Sequence, residues 1–175
     1  MKDQRFAWAI TGAGHTLTGC ADLLLRYKNI DVFFSLAAKE VVRMYMLQDR
    51  FKDPALRVMY ETRASSPVVA RLYNGVYRAL IIAPATSNSV AKFACGISDS
   101  LITNLFAQAG KSRIPIIVFP TDLTAVMDTT GPHGEPVKVY PRPVDLDNTN
   151  KLRNFPGVTV VESLEEMTRC LATYL

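Results

Sequence analysis

Apolar residues recur along the chain in two alternating rhythms: short, nearly continuous runs, and longer stretches spaced for one face of a helix. "FAWAIT" (6–11), "IDVFFS" (30–35), "YRALIIA" (77–83) and "IPIIVFP" (114–120) belong to the first kind. The last two are nearly unbroken, as in strands covered on both faces of a parallel sheet. "LRVMYE" (56–61) reads as a further short strand, and "VTVVES" as the last one. "HTLTGCADLLLRYK" has helical spacing through Leu17, Ala21, Leu24 and Leu25, and "AAKEVVRMYML", "ISDSLITNLFAQAGKS" and "LEEMTRCLATYL" are the other helices. Ser66 and Pro67 open "SPVVARLYN" as an N-cap and a first helical residue. Gly110 is placed as a helix C-cap. The alternation predicts one α/β domain over residues 1–175, with three layers and helices on both faces of a mostly parallel sheet. Only the zone 121–154 breaks the rhythm. Dense in Pro, Gly and Asn, it is expected to be an irregular long loop that acts as a lid or an interface arm.

In an open α/β sheet, ligands collect at the carboxyl ends of the strands. Thr11-Gly12-Ala13-Gly14-His15, Ser35, Pro84 to Ser89, and Pro120-Thr121-Asp122 all fall at such ends. The first turn is not a dinucleotide fingerprint, because the third glycine of G-x-G-x-x-G would be Leu17. The second strand ends in Ser35, where an NAD-binding fold places an acid for the ribose hydroxyls. A hydroxyl there suits a phosphate, as do free N–H groups at the start of the first helix. No G-x-x-x-x-G-K-[ST] is present, which sets aside nucleoside triphosphates. The expected ligand is a mononucleotide with one terminal phosphate, and flavin mononucleotide (FMN) leads. Thr86, Ser87, Asn88 and Ser89 either cap a helix or form a polar wall for the flavin edge. With three other ligand loops nearby, the wall is preferred. His15 caps the helix or touches phosphate, His133 is solvated, and Tyr45 and Tyr60 are packing residues. Asp122 serves loop structure or the substrate.

Composition narrows the classes further. The chain is 49% hydrophobic and 21% charged, and its net charge of +4 is spread out. That supports weak attraction for an anionic ligand and no nucleic-acid surface. Cys20, Cys95 and Cys170 lie far apart, so neither a metal site nor a disulfide framework is expected. No apolar run reaches the roughly 18 residues of a membrane span, and the N-terminal run is short for a signal peptide. A cytoplasmic protein is expected.

The stretch "PATSNSVAKFACGISDSLITN" resembles the PASANT motif of the homo-oligomeric flavin-containing Cys decarboxylase-type flavoproteins. The likeness continues through "AKxxxGIxDxL", while "AITGAGH" and Ser35 match that family's first two ligand loops, over roughly residues 6–122. "AWAITGAGH" and "RMY" are most similar to archaeoflavoproteins and FMN-dependent dihydromethanopterin reductases. The resemblance implies a flavodoxin-like (Rossmann-like) fold, FMN at a subunit interface, and a homo-oligomer built from trimers. By position, Thr11, Gly12, Ala13, Gly14, His15 and Ser35 would hold the phosphate and ribityl chain. Pro84, Ala85, Thr86 and Asn88 would meet the isoalloxazine, with Ser89 and Lys92 close by. Asp99 would fix a helix start or cross the subunit boundary. Decarboxylating relatives carry a His before the PASANT strand and a P-x-M-N segment after the next one. This chain has "SPVVARLYNG" and "PTDL" instead, which weighs against decarboxylation and prenyl transfer. It also lacks the cysteines for a fused iron–sulfur module, so electrons would come from NAD(P)H or ferredoxin. The implied activity is reduction of dihydromethanopterin, or a similar dihydropterin, to the tetrahydro form. Flavin N5 would carry the hydride, with no catalytic side chain. The alternative is an electron-transfer flavoprotein fed by ferredoxin.

Overall fold

The computed structural model describes residues 4–62 and 67–174. The chain runs β1 (Arg5–Ile10), α1 (Leu17–Leu24), β2 (Ile30–Phe34), α2 (Leu36–Met44) and β3 (Arg57–Tyr60). It continues through β4 (Tyr77–Ala85), α3 (Ser87–Cys95), α4 (Leu101–Lys111) and β5 (Ile116–Pro120). The last part is a hairpin of β6 (Met127–Thr130) and β7 (Pro136–Val139), then α5 (Pro143–Leu152), β8 (Val158–Val160) and α6 (Leu164–Ala172). Short 3₁₀ turns occupy Gln48–Lys52 and Pro67–Leu72. The N-cap expected at Ser66 lies outside the described residues.

Among the described residues, one parallel sheet has the order β3-β2-β1-β4-β5-β8. The chain starts at the centre, winds outward through β2 and β3, then crosses β1 to wind the other way. The order reverses between β1 and β4, so their carboxyl ends diverge and leave a crevice. Every residue of β2 and β5 is buried, which is why β5 reads as an unbroken apolar run and β2 as one interrupted only by Asp31. Successive side chains still point to opposite faces and divide the interior into two cores. Trp8, Ile10, Val32 and Phe34 face Leu17, Val42 and Met167 of α1, α2 and α6. Ala7, Ala9, Phe33 and Ile82 face Val90, Leu105 and Leu152 of α3, α4 and α5. This is the three-layer, flavodoxin-like α/β architecture that the alternation predicts.

At the amino end of β2, away from the crevice, Asp31 is fully buried. Its carboxylate accepts from the Arg5 guanidinium, from Arg71 Nη1 at 3.0 Å and from the Tyr77 hydroxyl at 2.7 Å. Three donors offset a desolvation cost that an unpaired carboxylate could not bear. Burial, followed by the hydrogen bond to Asp31, pushes the Tyr77 phenol up.

Two expectations are corrected. The 121–154 zone is not an irregular loop but a hairpin followed by a helix. Pro143 stands at the first turn of α5, and Asp145 accepts from the Arg142 N–H at 3.0 Å as well as from its guanidinium. Gly110 does not cap α4. The helix passes through it to Lys111, and the left-handed position falls on Arg113, at φ 55°. The Arg113 N–H then closes the last turn on Gly110 O at 3.1 Å. The left-handed cap glycine is instead Gly96, which ends α3 at φ 72°.

Candidate functional site

Thr11 follows β1 and is nearly fully buried, at 2% exposure. Its hydroxyl donates to Pro84 O at 2.9 Å and accepts from the Thr86 N–H at 2.8 Å. The Ala85 carbonyl accepts from the Thr121 N–H at 2.9 Å. Thr11, Pro84 and Ala85 therefore lie inside the scaffold, where they fix the strand ends relative to one another. Thr11 also borders the open crevice, and the other groups that line it come just after these three.

Two helices start at this crevice with side-chain caps. Ser35 Oγ accepts from the Ala38 N–H at 3.0 Å, and Thr86 Oγ1 accepts from the Ser89 N–H at 3.2 Å. Thr86 and Ser89 also share a hydroxyl hydrogen bond at 3.0 Å. The capping reading of "TSNS" is thus true of Thr86 and Ser89. Asn88 is exposed, and its carboxamide has no partner among the described residues. The amides of Gly12, Gly14, Ala37, Ser87 and Asn88 likewise find no acceptor among the described residues. Unspent donors at helix starts form a positive rim suited to an anion.

A polar cavity of about 340 Å³ opens here, lined by Gly12, Ser35, Asn88, Ser89 and Lys92. Lys92 Nζ is held by Asp99 at 2.8 Å, a pairing that lowers the Asp99 carboxyl. Asp99 itself is exposed and precedes the Ser100–Thr103 capping box of α4. A second cavity of about 410 Å³ shares Thr86 and Asn88 as a wall. Its other sides are His15, Tyr45 and Asp122, and the apolar Met127, Val137 and Val139 of the hairpin. The hairpin is fastened over the glycine turn. His15 Nδ1 meets Thr129 Oγ1 at 2.8 Å, and the Tyr45 hydroxyl donates to Thr130 O at 3.1 Å. Burial holds the His15 imidazole below the ordinary histidine value, and the Asp122 carboxylate opposes that shift. His133 is exposed.

The glycines have steric work here as well. A Cβ on Gly12 would stand 2.5 Å from Ala37 Cβ, and one on Gly14 would collide with the Tyr45 hydroxyl. Bare backbone lets α2 and Tyr45 close on the first turn. Tyr45 is therefore a wall of the site as well as a packing residue. Tyr60 is 49% exposed and stacks on Phe34.

Sequence reasoning missed Glu61. Its carboxylate accepts from the Leu36 N–H at 2.9 Å and from the Leu101 N–H at 2.7 Å. One side chain thus ties together the first turns of α2 and α4 and lines the polar cavity. Its place at the end of "LRVMYE" matches that of Ser35 at the end of "IDVFFS", and the strand-end rule covers both.

Comparisons with known proteins fit this arrangement. The chain is 30% identical to the dihydromethanopterin reductase (acceptor) of Methanosarcina mazei over 233 residues, covering 94% of this chain and 98% of that one. It is 42% identical to DmrB from Burkholderia xenovorans, a cubic protein cage for redox transfer whose crystal structure was determined in complex with FMN. That match covers 98% of this chain and 95% of DmrB, with a TM-score of 0.87. Phenylacrylic acid decarboxylase from Aquifex aeolicus superposes at a TM-score of 0.68, covering 98% of this chain and 96% of its own, but at 23% identity the likeness is one of fold alone. The Flavoprotein family model matches residues 1–174, and the chain belongs to that family.

Proposed function

We propose that this protein is an FMN-dependent oxidoreductase that reduces dihydromethanopterin, or a similar dihydropterin, to the tetrahydro form. The observation that carries the reading is the ring of unspent donors at the strand ends: the Asn88 carboxamide beside the free amides of Gly12, Gly14 and Ala37. These groups fit a monophosphate and the polar edge of a flat ring. The likeness to FMN-bound DmrB and to a dihydromethanopterin reductase supports the choice of cofactor and substrate.

Gly12, Ala13, Gly14, His15 and Ser35 would hold the phosphate and ribityl chain, positioned by the buried Thr11. Thr86 and Asn88 would face the ring, Pro84 and Ala85 would back it, and Ser89 and Lys92 would stand beside them. Asp99 would act through Lys92. When bound, FMN supplies two-electron hydride chemistry. The protein orients the pair and excludes water with Met127, Val137 and Val139 of the hairpin. Water serves as the proton source, so no side chain is assigned to acid–base work. The electron donor would be NAD(P)H or a protein such as ferredoxin.

Val126, Tyr140 and Val144 leave 50%, 69% and 51% of their surfaces exposed along the hairpin and the start of α5. They support the reading of this zone as an interface arm in a homo-oligomer built from trimers. Among the described residues, no helix is long and apolar enough to cross a membrane.

Purified protein should carry or take up FMN and show its absorption bands. Reduced FMN-loaded protein mixed with dihydromethanopterin in a stopped-flow instrument should return to the oxidised spectrum. Absence of that reoxidation sinks the reductase reading. Parallel assays with NADH, NADPH and reduced ferredoxin identify the donor.

A further inference from the structure

A separate cavity of about 250 Å³ shares no lining residue with the polar cavity. It is enclosed by the ends of β2 and β3, by α2, and by the Gln48–Lys52 turn. Its wall is aromatic. Phe34 stacks on Tyr60 with centroids 5.4 Å apart, and Phe51 meets Phe34 edge-on at 4.9 Å. Its mouth is cationic, with Lys39, Arg43 and Lys52. Lys52 is paired with Asp49 at 2.7 Å. Lys39 and Arg43 have no carboxylate partner among the described residues. They stand one helical turn apart on α2, the spacing at which like charges repel. The Lys39 ammonium lies over the Tyr60 ring, 5.4 Å from its centroid. Two unneutralised cations beside an apolar, ring-lined hollow match an anion whose body is a flat ring.

We infer that this cavity is a binding site for a small aromatic anion, a planar carboxylate or phosphate ester of one or two rings. The ring packs against Phe51, Val42 and the exposed edge of Tyr60. The anionic group is held between Lys39 and Arg43, and the Gln48 amide offers a further hydrogen bond at the mouth. At about 250 Å³ the space is below the roughly 300–1,000 Å³ of drug-sized pockets, which limits the occupant to a single or fused ring system. The site is also placed to influence the crevice. Phe34 precedes Ser35 and Tyr60 precedes Glu61, so the wall of one cavity continues directly into groups that line the other.

The test is calorimetric titration of the full-length protein with naphthalene-2-carboxylate, in excess FMN so that the polar crevice is not the site observed. Saturable one-to-one binding is expected. The neutral isostere 2-naphthalenemethanol should bind at least tenfold more weakly, and the K39Q/R43Q double variant should lose affinity for the carboxylate to a similar extent. Both substitutions are on the surface, and the melting curve checks that the fold survives. If the double variant does not fold, the comparison of acid with alcohol on the unmodified protein still decides. The proposal is overturned by no saturation at several millimolar, by equal affinity for acid and alcohol, or by an unchanged affinity in a folded K39Q/R43Q protein. None of these outcomes depends on a reaction at the flavin, so the reductase reading stands or falls separately.

Discussion

Replacing Glu61 with alanine removes the acceptor of two first-turn amides, Leu36 N–H at 2.9 Å and Leu101 N–H at 2.7 Å. Hydrogen bonds to a charged group contribute about 1.5–3 kcal/mol each. A carboxylate at a helix N-terminus adds roughly 0.3–1 kcal/mol. Glu61 is only half-buried, and water can solvate the released Leu36 amide, so the low end applies to that bond. The total is about 3–5 kcal/mol. In a chain of this size each kcal/mol moves the Tm by about 2–4 °C, which gives a fall of roughly 6–20 °C. Glu61→Gln keeps one acceptor oxygen but turns an amide NH₂ toward the second donor, so it should fall between wild type and alanine. Thermal unfolding followed by circular dichroism provides the ranking. FMN titration of the same variants should show weaker binding as the starts of α2 and α4 loosen. A Glu61→Ala protein that melts within 1 °C of wild type refutes the assignment of Glu61 as the tie between the two helices.

Asp31→Ala should cost about 3–5 kcal/mol in urea denaturation, because it leaves Arg5 half-buried and without its partner; a loss below 1 kcal/mol contradicts the buried network. His15 is held below the ordinary value of 6.5, so the unfolded chain binds a proton at pH values where the folded one does not. Its stability contribution is therefore fully present above that value and lost as pH falls through the lowered one. His15→Gln should flatten the acid limb of a plot of Tm against pH, and an unaltered limb assigns the loss to another group. Asn88→Ala should weaken FMN binding about tenfold, a loss of roughly 1.4 kcal/mol, or shift the flavin spectrum. If affinity and spectrum both stay the same, Asn88 does not face the ring.

The buried strands were legible because a parallel sheet covered on both faces demands mostly apolar residues, and β2, β4 and β5 supply them at all positions but Asp31 and Arg78. The strand ends were legible for a related reason, since small polar residues interrupt those runs where the chain must turn. The 121–154 zone was obscured by composition. "YPRPVDLDN" reads as loop until Pro143 is taken as a first-turn residue and Asp145 as the acceptor for the preceding backbone N–H. The hairpin turn does carry Gly131-Pro132 and Gly134, but its strands are only four residues each, and its packing on His15 and Tyr45 joins residues more than 80 positions apart. Glu61 escaped for a similar reason. Its role comes from two helix starts, one 25 and one 40 residues along the chain, converging on one carboxylate. Gly110 shows the opposite error, a residue type taken for a cap where the helix continues through it.

Both hydrogen bonds that fasten the hairpin, to His15 and to Tyr45, leave from β6, while β7 carries neither of them. The hairpin is therefore hung along one rail, and its far strand leads after three residues into α5. Two neutral hydrogen bonds hold it shut, together about 1–3 kcal/mol. Counting these alone, the open form amounts to between roughly one molecule in six and one in 150. Entry and exit of a bulky ligand would then pass through a minority population that is always present, and strengthening the rail would slow exchange without altering the cavity behind it.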